Sequence, residues 1–227
     1  MPKYAKATGP RVYVRSIRED DIDALRDAMS DWRADGVQMT EAQATATIKE
    51  WVWQMSSNQQ EFFVASADAS NPNAFVVDPE DLFERTWVYD GFYLNSSDEC
   101  IGFQIGKFVG TQYQHRAAMM RPQYRSMGYY EEAAGIGPKT LFLTIKNCDS
   151  MTVTIPVVQS ETMKQKLDST VWVSEDLEVS SFTNVERIEP VAYVKKQVSK
   201  EKWLEWYNLP EQSEYRAQHY KYEILDH

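Results

Sequence analysis

Three histidines, His115, His219 and His227, and two cysteines, Cys100 and Cys148, make up the chain's complement of those residue types. No two of them stand at a metal-ligand or redox-pair spacing. No metal is expected, and the cysteines read as free thiols in a reducing compartment. His115 has two readings: a proton acceptor titrating near neutrality, or an ordinary strand or loop histidine. Cys148 has only Lys146 nearby to lower its pKa, so an inert buried thiol competes with a nucleophile. Glu131 and Glu132 are adjacent, and neighbouring helix positions point in different directions, so a solvated first turn competes with an acid/base pair. Gly135-Ile-Gly-Pro-Lys139-Thr140 has the composition of a nucleotide-phosphate loop but lacks its six-residue frame, with Pro138 between Gly137 and Lys139. Trp203, Trp206, Tyr207, Tyr215, Tyr220 and Tyr222 either line a substrate groove or pack the last elements onto the core.

These residues must be positioned by a mixed set of elements. Val12 to Ile17 alternates large β-formers with polar residues and predicts a first strand. From Glu19 to Trp32, Ile22, Leu25, Ala28, Met29 and Trp32 fall at helical spacing behind three acidic residues that suit a helix N-terminus. A second helix is predicted to start at Thr40, capped by its hydroxyl with Gln43 reaching back, and to present Ile48, Trp51, Val52 and Met55 on one face. Glu61 to Ser66 reads as a strand, followed by a loop insertion near 67–85 that is a candidate substrate-side lid.

Thr86 to Asn95 and Cys100 to Val109, joined by the polar turn 96–99, predict an antiparallel hairpin. Residues 115–120 supply the next strand, stopped at Arg121-Pro122. A later β run covers Thr152 to Val158, and Ser160 to Leu167 is a short helix candidate. Thr170 to Ser174 and Phe182 to Val198 are β-prone, and Ser199 caps a last helix carrying Trp203, Trp206 and Tyr207. This order indicates a mixed α/β (α+β) sheet fold.

At 227 residues, 43% of them hydrophobic, the chain can bury one substantial core, and a single domain is expected. No run of about 18 apolar residues is present, and Met1-Pro2-Lys3-Tyr4 lacks the apolar core of a signal peptide. The expectation is a cytoplasmic protein with no membrane partner. A formal charge of -10 disfavours attraction to phosphate backbones, so no nucleic-acid partner is expected and a cationic or neutral substrate fits better.

The stretch from Met119 to Ala133 carries Pro122, Tyr124, Arg125, Gly128, Tyr129, Glu132 and Ala133 in the arrangement Pro-x-Tyr-Arg-x-x-Gly-Tyr-x-x-Glu-Ala. It resembles the acyl-CoA signature of the GNAT superfamily of N-acyltransferases, in the branch that includes ribosomal-protein N-terminal acetyltransferases. Arg15 to Asp21, Cys100 to Gly106 and Val198 to Trp203 resemble the same branch. The resemblance implies a GNAT-like mixed, mostly antiparallel central sheet flanked by helices, forming one domain over residues 1–227 with an aromatic-rich C-terminal extension near 204–227. It implies acetyl-CoA as cosubstrate, an amine acceptor, and a monomer or homodimer.

By the same resemblance, Met119, Met120, Arg121, Arg125, Ser126, Met127, Gly128, Tyr129 and Tyr130 hold the cosubstrate. Main-chain N–H groups at a helix N-terminus face its pyrophosphate, Arg125 adds a charged contact, and Gly128 permits close approach. His115 and Ser160 are the candidate catalytic residues. Tyr130 replaces the family's small residue and is expected to crowd the pyrophosphate. Pro138 is expected to break the cosubstrate helix. No tyrosine follows in 160–167 to protonate the departing thiolate. A noncatalytic binding or assembly module of the same fold is the alternative, and a β-rich interaction protein is a third reading.

Overall fold

The computed structural model describes residues 3–31, 33–34, 37–62, 64–65, 75–76, 87–145, 147–156, 180–181, 192–217 and 221–226. β1 (Lys3–Thr8) and β2 (Val12–Ser16) pair antiparallel. A 3-10 turn at Glu19–Asp21 then leads into α1 (Ile22–Ala28), and a short ladder of β3 (Arg33–Ala34) and β4 (Val37–Gln38) precedes α2 (Glu41–Phe62). The Thr40 cap forms as expected: its N–H donates to Gln43 Oε1 at 2.9 Å, and Gln43 N–H returns to Thr40 Oγ1 at 3.3 Å.

β5 (Val64–Ala65) pairs with β6 (Phe75–Val76), and β7 (Trp87–Leu94), β8 (Cys100–Val109) and β9 (Gln112–Met120) form an antiparallel meander. α3 (Tyr129–Thr144) leads to β10 (Ser150–Pro156); β11 (Ser180–Ser181), β12 (Ala192–Ser199), α4 (Lys200–Tyr207), α5 (Ser213–Ala217) and β13 (Lys221–Asp226) complete the described elements. Nine strands make one sheet in the order β11-β12-β10-β9-β8-β7-β2-β1-β13, in which only β9 and β10 run parallel. The expected mixed, mostly antiparallel sheet flanked by helices is present.

Strand alternation sorts the core onto two faces. Tyr13, Tyr89, Tyr93, Phe103 and Ile105 meet Leu25, Ala28, Ile48, Trp51 and Met55 of α1 and α2 on one. Val12, Val14, Phe92, Ile101 and Met120 meet Ala133 and Ile136 of α3 on the other. Further along that second face, Phe108, Tyr113 and Met151 pack with Leu141 and Phe142 of α3 and Trp203 of α4. Trp203 is 2% exposed, and burying a side chain of that kind contributes at least about 2 kcal/mol. The aromatic run is therefore packing as far as Tyr215, whose ring meets those of Trp206 and Tyr207.

Four expectations are corrected. Val12–Ser16 is the second strand, because β1 precedes it. Glu61 and Phe62 belong to α2, which leaves only Val64–Ala65 of the predicted strand. The Ser199-capped helix forms, with Ser199 accepting from Lys202 N–H at 3.2 Å, but α5 and β13 follow it and β13 pairs with β1 at the far sheet edge. Most importantly, α3 continues through Pro138 rather than breaking there. Proline removes the N–H that would reach Ala134 O. At that point Tyr215 from α5 donates its hydroxyl to the neighbouring Gly135 O at 2.9 Å, and the Lys139 ammonium reaches back to the Tyr215 carbonyl. Tyr215 and Lys139 thus pin α5 to α3 beside the interrupted rung, next to the carbonyl of Ala134 that the proline leaves without a helical donor. Ser160, the 160–167 helix candidate, Thr170–Ser174 and most of the 67–85 insertion lie outside the described residues.

Candidate functional site

The chain leaves β9 at Met120 in a sequence of tight turns. Arg121 N–H donates to Ile101 O at 2.9 Å, Pro122–Tyr124 form one 3-10 turn, and Arg125 N–H donates to Pro122 O at 3.3 Å. Ser126 and Gly128 then adopt left-handed backbone, with φ of +63° and +76°. Gly128 is the N-cap of α3 and has no side chain to cap with. The first helical bond is Glu132 N–H to Gly128 O, 3.3 Å, and among the described residues no carbonyl accepts from the N–H groups of 126–130. Consecutive unsatisfied donors in alternating backbone conformations, placed on the positive end of a helix, form a concavity that attracts anionic oxygens.

Side chains from distant segments fix this turn. Glu132 Oε1 accepts from the N–H groups of Arg11 at 2.6 Å and Val12 at 3.0 Å, while Oε2 accepts from Arg11 Nε at 2.8 Å. The same guanidinium donates to Gly128 O at 3.2 Å and lies 4.9 Å from the centre of the Tyr129 ring. Glu132 is therefore a clamp from α3 to the β1–β2 turn, neither a solvated residue nor half of an acid/base pair. Arg121 bridges Asp27 and Glu99 at 2.7 Å each and holds the Asp27 carboxyl below its ordinary range. Its guanidinium is thus committed to tying the end of β9 to α1 and the β7–β8 turn. Arg125 is exposed, with Nε donating to Met120 O at 3.0 Å.

Beside the turn the sheet opens. β9 and β10 pair only over Gln112–His115 and Ser150–Val153, yet β9 continues to Met120 and β10 to Pro156. At the point of divergence the β8–β9 register slips by one residue: Gly106 faces His115 and Ile105 faces Ala117, leaving Arg116 as the bulge. On the β10 side, the backbone of 116–120 has no partner strand among the described residues. That open edge is about 16 Å long at the strand rise, and leads from the N–H concavity to His115.

His115 is 7% exposed, and neither ring nitrogen has a hydrogen-bond partner among the described residues. Burial pushes its pKa down to about 4, so the imidazole is neutral at physiological pH. It shares a sheet face with Tyr113, and the Tyr113 hydroxyl lies over Gly106, where a Cβ would stand 1.9 Å from Oη. Asp90 faces Gln104 across the strands and accepts from its Nε2 at 3.1 Å; burial raises the Asp90 carboxyl to about 6 against that bond. Tyr130 turns its ring toward Phe92, at 6.1 Å between centroids, and burial raises its hydroxyl to about 12. Its bulk is directed into the layer between α3 and the sheet.

Cys100 and Cys148 are buried, with thiols pushed up to about 12 by burial, which fits the inert reading. Residues 135–140 lie within α3, so no phosphate loop forms there. Among the described residues no group of three His, Cys, Asp or Glu side chains is placed to hold a metal. No described helix is long and apolar enough to cross a membrane. Sequence reasoning missed Arg11, Asp90 and Tyr113. A Gly-Pro-Arg turn was the only local signal for the first, and nothing local marked the other two.

No family model and no curated protein matches the sequence. Its fold does match solved structures, and these structural neighbours are GNAT-family acetyltransferases. A GNAT-family acetyltransferase from Bacillus anthracis aligns over 86% of this chain and 99% of its own, at 14% identity and a TM-score of 0.59. A ribosomal-protein-S5-alanine acetyltransferase from Vibrio fischeri aligns over 87% and 98%, at 11% identity and 0.60. The spermidine/spermine N-acetyltransferase SpeG from Vibrio cholerae aligns over 86% and 96%, at 8% identity and 0.57. At these identities the likeness is one of fold: a mixed, mostly antiparallel sheet with GNAT architecture.

Proposed function

We propose that this protein is an N-acyltransferase that carries an acyl group from a CoA thioester, with acetyl-CoA as the reference donor, to an amine. The observation that supports this most directly is the row of N–H groups at 126–130 that find no carbonyl among the described residues, set at the N-terminus of α3 beside the diverging strands β9 and β10. Backbone donors with a helix dipole behind them suit a pyrophosphate, and Ser126, Met127, Gly128, Tyr129 and Tyr130 supply them. Met119 and Met120 present the open strand edge along which the arm of the cosubstrate lies, and exposed Arg125 adds a cation. The role of Arg121 is to hold the strand end in place.

In the reaction a neutral amine nitrogen attacks the thioester carbonyl carbon. The new C–N bond replaces the C–S bond, CoA leaves as a thiolate that takes a proton, and the amine nitrogen gives one up. Orientation of the two reactants and polarisation of the carbonyl by backbone N–H groups lower the barrier without a covalent enzyme intermediate. His115, where β9 and β10 part, is one catalytic candidate, and Ser160, outside the described residues, is the other. A net charge of -10 favours a cationic acceptor, whose amine reacts once deprotonated. The protein acts in the cytoplasm as a single domain, monomeric or homodimeric.

Calorimetric titration with acetyl-CoA tests the reading. Micromolar binding by the native protein, lost in a folded Gly128→Trp variant, supports it; a folded native protein that takes up no CoA thioester returns the chain to the noncatalytic reading.

A further inference from the structure

The face of the sheet that bears His115 carries more unspent hydrogen-bonding capacity than a site for an acetyl methyl group needs. Both nitrogens of His115 are partnerless among the described residues. The Tyr113 hydroxyl lies over Gly106, which is the cross-strand neighbour of His115 on the same face. No hydrogen bond to the Tyr113 or Tyr130 hydroxyl is present among the described residues, and Tyr113, raised well above its ordinary pKa chiefly by burial, is raised further by its neighbours Asp90 and Tyr130. Asp90 completes the group with Gln104 as its hydrogen-bond partner. All but Tyr130 project from β7, β8 and β9 onto one face, and Tyr130 descends on them from the first turn of α3.

Each orphaned buried polar atom costs on the order of 1–3 kcal/mol. In this layer that cost falls on the two nitrogens of His115, and with the Tyr113 and Tyr130 hydroxyls beside them they mark a recess suited to a hydrogen-bonding partner. The recess lies where β9 and β10 part, at the inner end of the open strand edge. A cosubstrate anchored at the N–H concavity and laid along residues 116–120 brings its acyl end there.

We propose that His115, Tyr113 and Tyr130, with Asp90 behind them, form an acyl subsite for a CoA thioester whose acyl chain carries a neutral hydrogen-bonding group such as a hydroxyl. The proposal rests on the acyltransferase reading above and narrows its donor. Neutrality follows from Asp90, the one acidic side chain in the group, which would repel a carboxylate-bearing acyl group, while the buried cation of that face, Lys196, stands two strands from His115 across Val153. A neutral imidazole and two phenols offer both donors and acceptors, which suits a hydroxyl, itself donor and acceptor.

The test compares calorimetric affinities of the native protein for butyryl-CoA, 3-hydroxybutyryl-CoA and succinyl-CoA, then repeats the first two on His115→Phe and Tyr113→Phe. The expected result is at least about tenfold tighter binding of the hydroxyacyl thioester than of butyryl-CoA, one or two buried hydrogen bonds in magnitude, with that ratio falling toward one in both variants. Equal affinities for the pair in the native protein would overturn the proposal alone and identify the recess as a water site. Tightest binding of succinyl-CoA would overturn the neutral assignment. Failure of every CoA thioester to bind would overturn the acyltransferase reading and this proposal together. The native-protein ratio decides the matter even if a variant does not fold.

Discussion

Glu132, in the first turn of α3, accepts three hydrogen bonds from Arg11 and Val12, 121 and 120 residues earlier in the chain. One carboxylate thereby joins the helix that carries the candidate anion site to the start of β2. Arg11 is half exposed, so its ion pair contributes little by itself. The part-buried Val12 N–H is different, since a hydrogen bond from such a donor to a charged acceptor contributes about 1.5–3 kcal/mol. Glu132→Ala should lower stability by about 2 kcal/mol in urea unfolding and weaken acetyl-CoA binding, with Glu132→Gln intermediate. An unchanged midpoint for Glu132→Ala would remove the clamp from the account.

His115 links acid stability to the recess. Its folded pKa of about 4 lies below the ordinary 6.5, so the folded protein resists a proton that the unfolded chain accepts. The associated stability is fully present above pH 6.5 and is lost as pH falls toward 4. His115→Phe should abolish that loss and raise stability near pH 7 by about 1–3 kcal/mol through removal of the orphaned nitrogens. Chemical denaturation of both proteins at pH 7.5, 6 and 5 measures this, and parallel pH profiles would refute it.

Asp90 carries the opposite sign. Its folded pKa of about 6 lies above the ordinary 3.8, so the stability it contributes is full below pH 3.8 and is lost as pH rises through 6. A shift of that size corresponds to about 3 kcal/mol. Asp90→Asn keeps an acceptor for Gln104 and should exceed the native protein in stability at pH 7.5 while matching it near pH 4. A variant less stable than the native protein at pH 7.5 would show that the charge has a partner.

Tyr215 and Pro138 act on different rungs of α3. Tyr215→Phe removes the hydroxyl that donates to Gly135 O and should cost about 0.5–1.5 kcal/mol. Pro138→Ala restores the donor to Ala134 O and should leave that cost nearly unchanged. A double-mutant cycle by urea unfolding reads the difference, and a coupling above about 0.5 kcal/mol would mean that the two rungs are not independent.

Gly128 has a φ of +76°, and a Cβ there would stand 3.6 Å from Arg11 Nη2, an ordinary contact. The cost of Gly128→Ala is thus conformational, about 1–2 kcal/mol. Thermal unfolding should show that loss, together with weaker acetyl-CoA binding. Full retention of both would place the turn outside the site.

Local physics was legible in the amino-acid sequence. Apolar spacing at Ile22, Leu25 and Ala28 and at Ile48, Trp51 and Met55 defined two helices, and the caps at Thr40 and Ser199 formed because capping depends on residues three apart. The β7–β8 hairpin followed from a short-range pattern for the same reason, whereas the turn through Gly128 was expected only from the family resemblance of residues 119–133. Tertiary structure alone decided the pairing of β13 with β1, the continuation of α3 through Pro138, and the clamp of Glu132 on Arg11. It also decided that Tyr113, His115, Asp90 and Tyr130 share one layer. Each of these depends on partners brought together from scores of residues apart, or on which face of a strand a bulge leaves a side chain, and no local spacing encodes either.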